Sequence, residues 1–397
     1  MTHNPTTYRY FLMTIDPVHI GTGGTRLGRV DMSIVREPGT NLPKIPGTSL
    51  HGAIRAYAAH RYGKPQCAGQ GQQADRKHCG QPTCPICYTF GTASENGKSY
   101  AGVVAIGDAR ILLFPVYSMV GPVWVTSPAV LKDAGFEGDF SVSPNKAKWK
   151  GQDEGNTSEL PADKPINLGW LMVEHEGNLP SISWPNEVPD QIKNRVVLVS
   201  DKLFSQIVNS NLEVRTSVSI NPDTGAAEDG ALFTYEAIPR ATVLWMDVVV
   251  DDYRRAFPDK KRWQEICQHL MEETLPGGIP DTETEAEKAL RQLGYISKRP
   301  SRGNDESEAK FKERQNKYWD QVREAHETCK HALQTLEWNT PSDLVLFGLE
   351  WAEHLGVGGM GTRGFGRIRT LCWETQSEES QATECKPAQE SKSGGAT

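Results

Sequence analysis

The sequence predicts an α+β domain built on a ferredoxin-like (RRM-like) sheet that carries several insertions. The first observation is the order of its elements: strand, helix, strands, a long interruption, helix, glycine loop and strand, which is βαββαβ order with insertions. The second is size and composition. With 397 residues, 37% of them hydrophobic and 23% charged, the chain can bury a sizeable core and still carry large insertions. We therefore expect a single domain over residues 1–373.

Local patterns place the elements of this core. Runs of aromatic and β-branched residues predict the strands, and apolar residues at helical spacing predict the helices. Thr340 followed by Pro341 predicts the start of the last helix, and Gly356 predicts its end. The predicted elements are a strand at 8–20, a helix opening at 46–49, a strand pair at 102–116, a strand at 241–250, a helix at 340–356 and a strand at 367–373.

Four further segments interrupt or follow the core. Residues 212–238 predict a hairpin, because two strand-type runs flank the turn-forming stretch NPDTGAAEDG. Residues 255–338 are dense in Glu, Lys, Arg and Gln and predict a solvated helical insertion with a break near Pro300. Residues 136–190 are rich in Pro, Gly, Asn and Asp, so we expect an irregular excursion on the surface. Residues 374–397 predict a disordered acidic tail.

The segment 64–100 contains a cluster of cysteines that predicts a metal site. The cluster consists of Cys67, Cys79, Cys84 and Cys87, with His78 adjacent. A CxxC pair with a further cysteine close before it is typical of a tetrahedral zinc site, and four soft ligands favour a structural role. The fourth ligand is either Cys67 or His78. A zinc deaminase would need an upstream His-x-Glu, and a redox CxxC would leave two cysteines unexplained.

Charge is distributed unevenly along the chain. The net charge is −7, but residues 1–125 hold twelve Lys/Arg against six Asp/Glu. Such asymmetry is a hint of a nucleic-acid-binding face on one part of a chain. No apolar run approaches the roughly 20 residues of a membrane span, and the first residues lack the layout of a signal peptide. We therefore expect a cytoplasmic protein with no membrane partner.

Two glycine-containing segments suggest contacts with phosphate. IPGTSLHGAIR (45–55) predicts a turn and a helix start, whose free amides either bind an anion or are simply capped. GVGGMGTRGFG (356–366) is glycine-dense enough for another backbone to lie close against it. Its glycines also fit GxGxxG, but they follow a helix and precede a strand, which is the reverse of the dinucleotide-binding order.

Both segments resemble the RAMP superfamily of CRISPR proteins, whose first helix and glycine-rich loop they match. A third segment, VSINPDTGAAEDGALFTYEAIP (218–239), resembles the thumb hairpin of the backbone subunit of type III-B (Cmr) effectors. The loop GRVDMSIVRE (28–37) is similar to the same subunit. The resemblance covers residues 8–120, 195–250 and 340–373. The insertion 255–338 is larger than the family's usual one.

The resemblance also implies a set of site residues. Asp31 matches the family's catalytic aspartate, and His19 and Arg29 are its nearest polar candidates. Tyr235 and Glu236 resemble positions tied to activity. The residues expected to contact RNA are Lys44, Thr48, Ser49, Arg55, Arg215, Arg363 and Arg367.

What the resemblance implies is an endoribonuclease that acts within a complex. Copies of the subunit would stack along a guide crRNA with other Cmr-type subunits and cleave complementary target RNA at regular intervals, with Mg²⁺ or another divalent cation. Base pairing would read the target, while the protein grips the guide backbone. Two alternatives stay open: a non-catalytic crRNA-binding scaffold, and a RAMP endoribonuclease that processes guides.

Overall fold

Residues 4–23, 30–69, 78–93, 99–151, 160–161, 164–268, 270, 274–304, 306–376 and 386–387 are described by a computed structural model. By compactness the chain divides into two units. The sheet unit comprises residues 7–50, 106–248 and 350–397, and the cysteine unit comprises residues 1–6, 51–105 and 249–349. The expectation of a single domain over 1–373 stays a prediction.

Strands arise where β-branched and aromatic residues are concentrated. They are β1 (Thr6–Thr14), β2 (Lys44–Ile45), β3 (Val104–Ile106), β4 (Ala109–Val116), β5 (Val123–Thr126), β6 (Lys146–Trp149), β7 (Ile166–Leu168), β8 (Leu171–Gly177), β9 (Val196–Val199), β10 (Glu213–Ile220), β11 (Ala227–Ala237), β12 (Val243–Val250), β13 (Ile368–Gln376) and β14 (Lys386–Pro387).

Helices fill the intervals between the strands. They are α1 (Gly47–Arg61), α2 (Pro85–Phe90), α3 (Pro128–Asp133), α4 (Asp190–Lys193), α5 (Asp201–Ser210), α6 (Lys260–Ile266), α7 (Glu285–Gln292), α8 (Glu308–Thr335) and α9 (Pro341–Leu355), with 3-10 turns at Pro65–Cys67 and Gly361–Arg363. No helix within the described ranges has both the length and the apolar character needed to cross a membrane.

One large mixed sheet organises the sheet unit. Its strand order is β14-β13-β1-β12-β4-β5-β9-β6-β8-β7, and β2 pairs with β4. The predicted core strands β13, β1, β12 and β4 lie side by side, with α1 after β1 and α9 before β13. Strands β10 and β11 form a separate antiparallel hairpin, as the sequence predicts for residues 212–238. The mixed α+β class is confirmed.

The prediction for residues 136–190 is wrong. Three strands, β6, β7 and β8, form there and extend the main sheet, and the side chains of Trp149 and Val173 are buried. These strands have three to seven residues and are separated by Pro, Gly and Asn, so no alternation long enough to recognise develops. Residues 152–159 and 162–163 of this segment lie outside the described ranges.

The insertion 255–338 is helical, as the sequence predicts, but not simply solvated. Helices α6, α7 and α8 form there, with a break that includes Pro300 between α7 and α8. One face of α8 is buried, and the rings of Trp263 and Trp338 pack edge to face with a centroid distance of 5.2 Å. The composition of this segment did not indicate the apolar face, because charged residues on the outer faces dominate it.

Both ends of α9 form as predicted. The Asp343 carboxylate accepts hydrogen bonds from the backbone amides of Asn339 (2.8 Å) and Thr340 (2.9 Å), and Gly356 adopts φ +78° just after the helix. The predicted disordered tail starts at Glu374, but β13 continues to Gln376 and pairs with β14. The remainder of that tail lies outside the described residues.

Candidate functional site

The loop that carries Asp31 (residues 30–36, the Asp31 loop) is joined to the root of the β10–β11 hairpin. Met32 and Tyr235 form a parallel bridge. The amide of Met32 donates to the Thr234 carbonyl (3.1 Å), and the amide of Glu236 donates to the Met32 carbonyl (3.2 Å). Main-chain pairing therefore fixes the loop against β11. Arg29, a further candidate from the sequence, lies outside the described residues.

Asp31 is exposed, and one of its carboxylate oxygens is held by Thr234. Oδ2 accepts a hydrogen bond from the Thr234 amide (2.7 Å) and another from the Thr234 hydroxyl (2.9 Å). These two bonds to the charged form lower the pKa of Asp31 below its ordinary value. Oδ1 has no hydrogen-bond partner among the residues that the structure describes. The site thus presents one oriented, ionised carboxylate oxygen.

Glu236 is buried and fully engaged, so it is not placed to meet a substrate. Its carboxylate accepts from the amide of Ile34 (3.0 Å). It also forms a two-point ion pair with Arg36, in which both nitrogen–oxygen distances are 2.8 Å. The Glu236 side chain is 9% exposed and that of Arg36 21%. This geometry fits a residue that positions the Asp31 loop, because it ties two of the loop's residues to β11.

His19 is also buried, and it joins three segments. Its Nδ1 lies 2.7 Å from the Glu236 carbonyl oxygen, which can only accept, so Nδ1 carries the proton. Its own carbonyl accepts from the amide of Gly359 at 3.0 Å. A side chain at Gly358 would lie 2.6 Å from that carbonyl oxygen, which explains the need for glycine there. His19 therefore locks the glycine-rich loop to the hairpin root.

Tyr235 packs in a small apolar cluster instead of facing solvent. Its ring lies 5.4 Å from that of Phe365 and 5.9 Å from that of Phe233, and its hydroxyl is 3.1 Å from the Ser217 hydroxyl. Met360 packs against the same cluster. The predicted activity-linked residues His19, Tyr235 and Glu236 thus come together around the hairpin root, and all three are buried.

The opposite face of the hairpin carries exposed apolar side chains. Because strand residues alternate between faces, Val214 and Val218 lie on the same face as Thr234. So does Leu232, which is 65% exposed and pairs with Val218. An apolar surface therefore begins beside Asp31 and runs outward along the hairpin.

The three predicted arginines of the sheet unit lie near this root and the glycine-rich loop. The Arg215 guanidinium stacks on Phe365 (4.6 Å) and that of Arg363 on Phe233 (5.5 Å). Arg367 instead pairs with Asp16, at 2.5 and 3.1 Å. Arg215 also pairs with Glu213 at 2.6 Å. Of these three arginines, Arg363 alone has no carboxylate partner among the residues that the structure describes.

The predicted anion site at the start of α1 is already filled by the protein. The Asp108 carboxylate accepts from the Gly47 amide (2.7 Å) and pairs with Lys44 (2.5 Å). The simpler alternative, a capped helix start, is therefore what forms. Thr48 is exposed and Ser49 is half-buried at this turn.

Arg55 is predicted to contact RNA, but its side chain is buried inside the cysteine unit. It is 7% exposed, and its guanidinium donates to the carbonyls of Cys67 (2.8 Å) and Phe90 (3.2 Å) and contacts the ring of His78. Helical periodicity alone did not reveal that this arginine faces inward. Its guanidinium holds the cysteine segment and is therefore not available to contact a phosphate.

The four cysteines of the cysteine unit converge. The sulfur atoms of Cys67, Cys79, Cys84 and Cys87 all lie within 4.8 Å of one another. Measured separations are 3.7 Å (Cys67–Cys87), 3.8 Å (Cys79–Cys87) and 4.0 Å (Cys67–Cys84). Tetrahedral Zn–S bonds of about 2.3 Å place sulfurs about 3.8 Å apart, whereas a disulfide needs about 2.0 Å. The donor set and spacing fit a tetrahedral metal ion.

The two candidates for the fourth position, Cys67 and His78, lie in different surroundings. Cys67 belongs to the sulfur cluster. His78 instead faces Arg55, and the distance from His78 Nε2 to the guanidinium is 3.1 Å. Burial, together with the positive charge of Arg55, lowers the pKa of His78 to about 4. Of the two candidates, Cys67 is the one that lies with the other three sulfur atoms.

Three residues that matter here were missed from the sequence. Thr234 and Arg36 orient the Asp31 loop, and Lys64 lies wholly buried beside the cysteines. Nothing in the local sequence marks Thr234, because its partner is 203 positions away. The sequence indicated Lys64 only weakly, by its position three residues before Cys67.

Comparison with known proteins relates the chain to one family. The model of the RAMP superfamily matches residues 11–369. The chain is 30% identical over 259 residues, 61% of its length and 81% of the relative's, to the CRISPR system Cmr endoribonuclease Cmr4 of Pyrococcus furiosus. Over 43 residues, 11% of this chain and 18% of the relative, it is 46% identical to the CRISPR system Cms endoribonuclease Csm3 of Mycobacterium tuberculosis.

Similar solved structures come from the same group. A type III-B Cmr-beta complex bound to cognate target RNA contains a chain with 17% identity and a TM-score of 0.46, over 62% of this chain and 85% of that one. Oligomeric Cmr4 from Pyrococcus furiosus gives 21% identity and a TM-score of 0.42, over 69% and 93%.

Proposed function

This chain belongs to the RAMP superfamily, as its sequence predicted, and from that membership and the Asp31 site we propose a specific role. The chain is a backbone subunit of a type III-B CRISPR effector that binds guide crRNA and cleaves complementary target RNA. The observation that carries the proposal is the oriented, exposed Asp31 carboxylate at the root of a projecting apolar hairpin. The 30% identical relative is named an endoribonuclease, which supports the reaction class.

The proposed reaction is transesterification within the target strand. The 2′-oxygen of one nucleotide bonds to the adjacent phosphorus, and the P–O5′ bond breaks. The 2′-hydroxyl gives up its proton, and the departing O5′ takes one up from water. The products are a 2′,3′-cyclic phosphate and a 5′-hydroxyl end. In-line placement of the attacking oxygen supplies most of the acceleration.

Asp31 would act on the attacking hydroxyl. Its Oδ1, the carboxylate oxygen that Thr234 does not hold, accepts a hydrogen bond from the 2′-hydroxyl and orients it toward phosphorus. Because its pKa is lowered, Asp31 stays ionised at neutral pH and is a weak base. Alignment of the nucleophile is therefore its main contribution, and proton transfer to solvent water completes the step.

The hairpin would supply the geometry that the reaction needs. Its apolar face, with Val214, Val218 and Leu232 exposed, can lie between bases that have been unstacked. A nucleotide displaced from the duplex in this way is free to adopt the in-line arrangement beside Asp31. His19, Tyr235 and Glu236 keep the hairpin root and the Asp31 loop in register during this contact.

Guide binding is proposed for the surface around the glycine-rich loop. Arg363 and Arg215 lie at this surface, and Arg367, Thr48 and Ser49 stay candidates from the sequence. Contacts of this kind neutralise phosphates and carry no base preference. The further proposed partners are other copies of the chain and the other Cmr-type subunits.

Two metal ions enter the proposal in different ways. Zinc would be held by Cys67, Cys79, Cys84 and Cys87 and would fix the fold of the cysteine unit. A divalent cation such as Mg²⁺ would be held near Asp31 by RNA phosphates and water, and would neutralise charge on the phosphate. No step of the proposed reaction depends on a cage of protein carboxylates.

One experiment tests the function as a whole. The purified complex with its guide is incubated with matched and unmatched RNA in the presence of Mg²⁺. We expect evenly spaced products from matched RNA alone, since one cut per subunit follows from a regular stack. Cleavage of hairpin precursors without a guide would instead identify a processing endoribonuclease, and no cleavage of any RNA would identify a scaffold.

A further inference from the structure

The carboxyl end of α7, in the large helical insertion, is capped by side chains of the cysteine segment. Three consecutive carbonyls accept from three different side chains. Lys64 Nζ donates to Leu293, Thr83 Oγ1 donates to Gln292, and Gln66 Nε2 donates to Gly294 at 3.1 Å. Backbone carbonyls at a helix end otherwise lack partners. The cysteine segment therefore completes the end of α7.

Lys64 is the central member of this set and has no exposed surface. Its ammonium lies 4.6 Å from the ring centroid of Tyr295 and 5.9 Å from that of Trp263. A lone buried ammonium is strongly destabilising, so such a group persists only beside compensating negative charge.

Two sources of negative charge meet at this ammonium. The first is the carboxyl end of α7, which carries a partial negative charge. The second is the cysteine cluster, because four thiolates around one divalent ion would leave a net charge of −2. Lys64 therefore neutralises part of the charge of a loaded site while holding the helix end in place.

The contact between the two segments extends beyond Lys64. Gly294 adopts φ +76°, and a Cβ there would lie 2.7 Å from the Cys79 sulfur, so the helix end lies directly against a metal ligand. The Trp263 indole donates to the Thr83 carbonyl at 2.8 Å, and the Tyr295 hydroxyl donates to the Tyr62 carbonyl at 2.8 Å. Loss of order at the cysteines would therefore remove the surface on which α7 rests.

We propose that Lys64 is a positioning residue that couples metal binding at the four cysteines to the docking of α7. On this view the insertion 255–338 is a metal-dependent module: α7 is docked when the site is loaded and released when it is empty. The proposal rests on the proposed metal site, and not on RNA cleavage.

Hydrogen exchange on the full chain tests it first without a substitution. The backbone amides of α7 and of β12 are followed in the loaded protein, after chelation, and after zinc is restored. We expect chelation to speed exchange in α7 by about tenfold or more, while β12 is unchanged and zinc reverses the effect. Unchanged exchange in α7 after proven loss of metal overturns the coupling. A protein that never contains metal fails the zinc proposal instead.

Substitutions then assign the coupling to Lys64. In Lys64→Met we expect the dissociation constant for zinc to rise about 10- to 100-fold and α7 to exchange quickly even when zinc is present. Lys64→Arg, which keeps charge and donors, should restore part of both properties. The matched control is Lys288→Met, on α7 itself, whose half-exposed ammonium pairs with the exposed Glu285. If Lys64→Met binds zinc as tightly as Lys288→Met and keeps α7 protected, Lys64 has no such role.

Discussion

Thr234 donates both its backbone amide and its hydroxyl to Oδ2 of Asp31, at 2.7 and 2.9 Å, across 203 positions of sequence. The exposed carboxylate of a loop is thus oriented by a residue of the projecting hairpin. Because Thr234 and Asp31 share these hydrogen bonds, a movement of the hairpin root would displace the Asp31 carboxylate.

Removal of the Thr234 hydroxyl should impair cleavage without altering its pH dependence. Thr234→Val deletes one of the two bonds to Oδ2, and we expect target cleavage to fall by about 10- to 100-fold through misplacement of the carboxylate. The pKa of Asp31 would rise toward its ordinary value, so ionisation is lost only as pH falls through a range well below 6. The rate profile between pH 6 and 8 should therefore keep its shape.

The matched control is Thr234→Ser, which retains the hydroxyl and should cleave at close to the parental rate. A Thr234→Val complex that cleaves normally would mean that the backbone amide alone orients Asp31. Single-turnover rates with saturating target RNA separate this effect from weaker target binding.

The Arg36–Glu236 pair should be important for stability. Arg36→Met leaves the buried Glu236 carboxylate without its partner. Because Arg36 is 21% exposed, we expect the free energy of unfolding to fall by about 2–3 kcal/mol, less than for a fully buried pair. Denaturant unfolding measures the change. The control is Arg369→Met, whose partner Glu353 is 30% exposed, and it should cost under about 1 kcal/mol. Equal effects of both substitutions would contradict the assigned role.

Metal content should identify the fourth ligand. Elemental analysis should find about one zinc per chain, a content that Cys67→Ser lowers and His78→Ala preserves. The reason is geometric: Cys67 lies among the sulfurs, whereas His78 faces Arg55. Loss of zinc in His78→Ala with retention in Cys67→Ser would reverse the assignment.

Arginines of the glycine-rich loop should contribute unequally to guide binding. Arg363→Gln should weaken the binding of unrelated guides to the same extent. The slope of log K against log salt concentration should fall by about 1, as expected for one lost phosphate contact. Arg367→Gln should have a smaller effect, because Asp16 already neutralises Arg367. Binding measured over a series of salt concentrations tests both. A change in base preference at constant salt slope would refute backbone recognition.

Core strands, the hairpin, α9 and the insertion's helices could be predicted from the sequence because each has a long local pattern. Residues 136–190 could not, since β6, β7 and β8 are too short to show one and acquire their burial only from the sheet. The burial of Arg55 could not be predicted for the same reason. A charged side chain on a helix is usually solvated, and only the tertiary fold places the carbonyls of Cys67 and Phe90 around it.

For the candidate site, residue types with distinctive chemistry could be predicted and their partners could not. The spacing of the cysteines predicted the metal site, and the family resemblance predicted Asp31. Thr234 could not be predicted, and Lys64 had only a weak sequence signal, because their contacts are with residues about 200 positions away. Glu236 was predicted as a site residue, but its bonds to Ile34 and Arg36 indicate a supporting role.

The most direct test of the central claim is single-turnover cleavage by a complex that carries Asp31→Ala. The substitution removes an exposed loop carboxylate, so zinc content, guide binding and assembly should be retained. We expect the cleavage rate to fall by about 100-fold or more, and the parental products to end in a 2′,3′-cyclic phosphate and a 5′-hydroxyl. Full activity of Asp31→Ala in an intact complex, or parental products with a 5′-phosphate, would contradict the account.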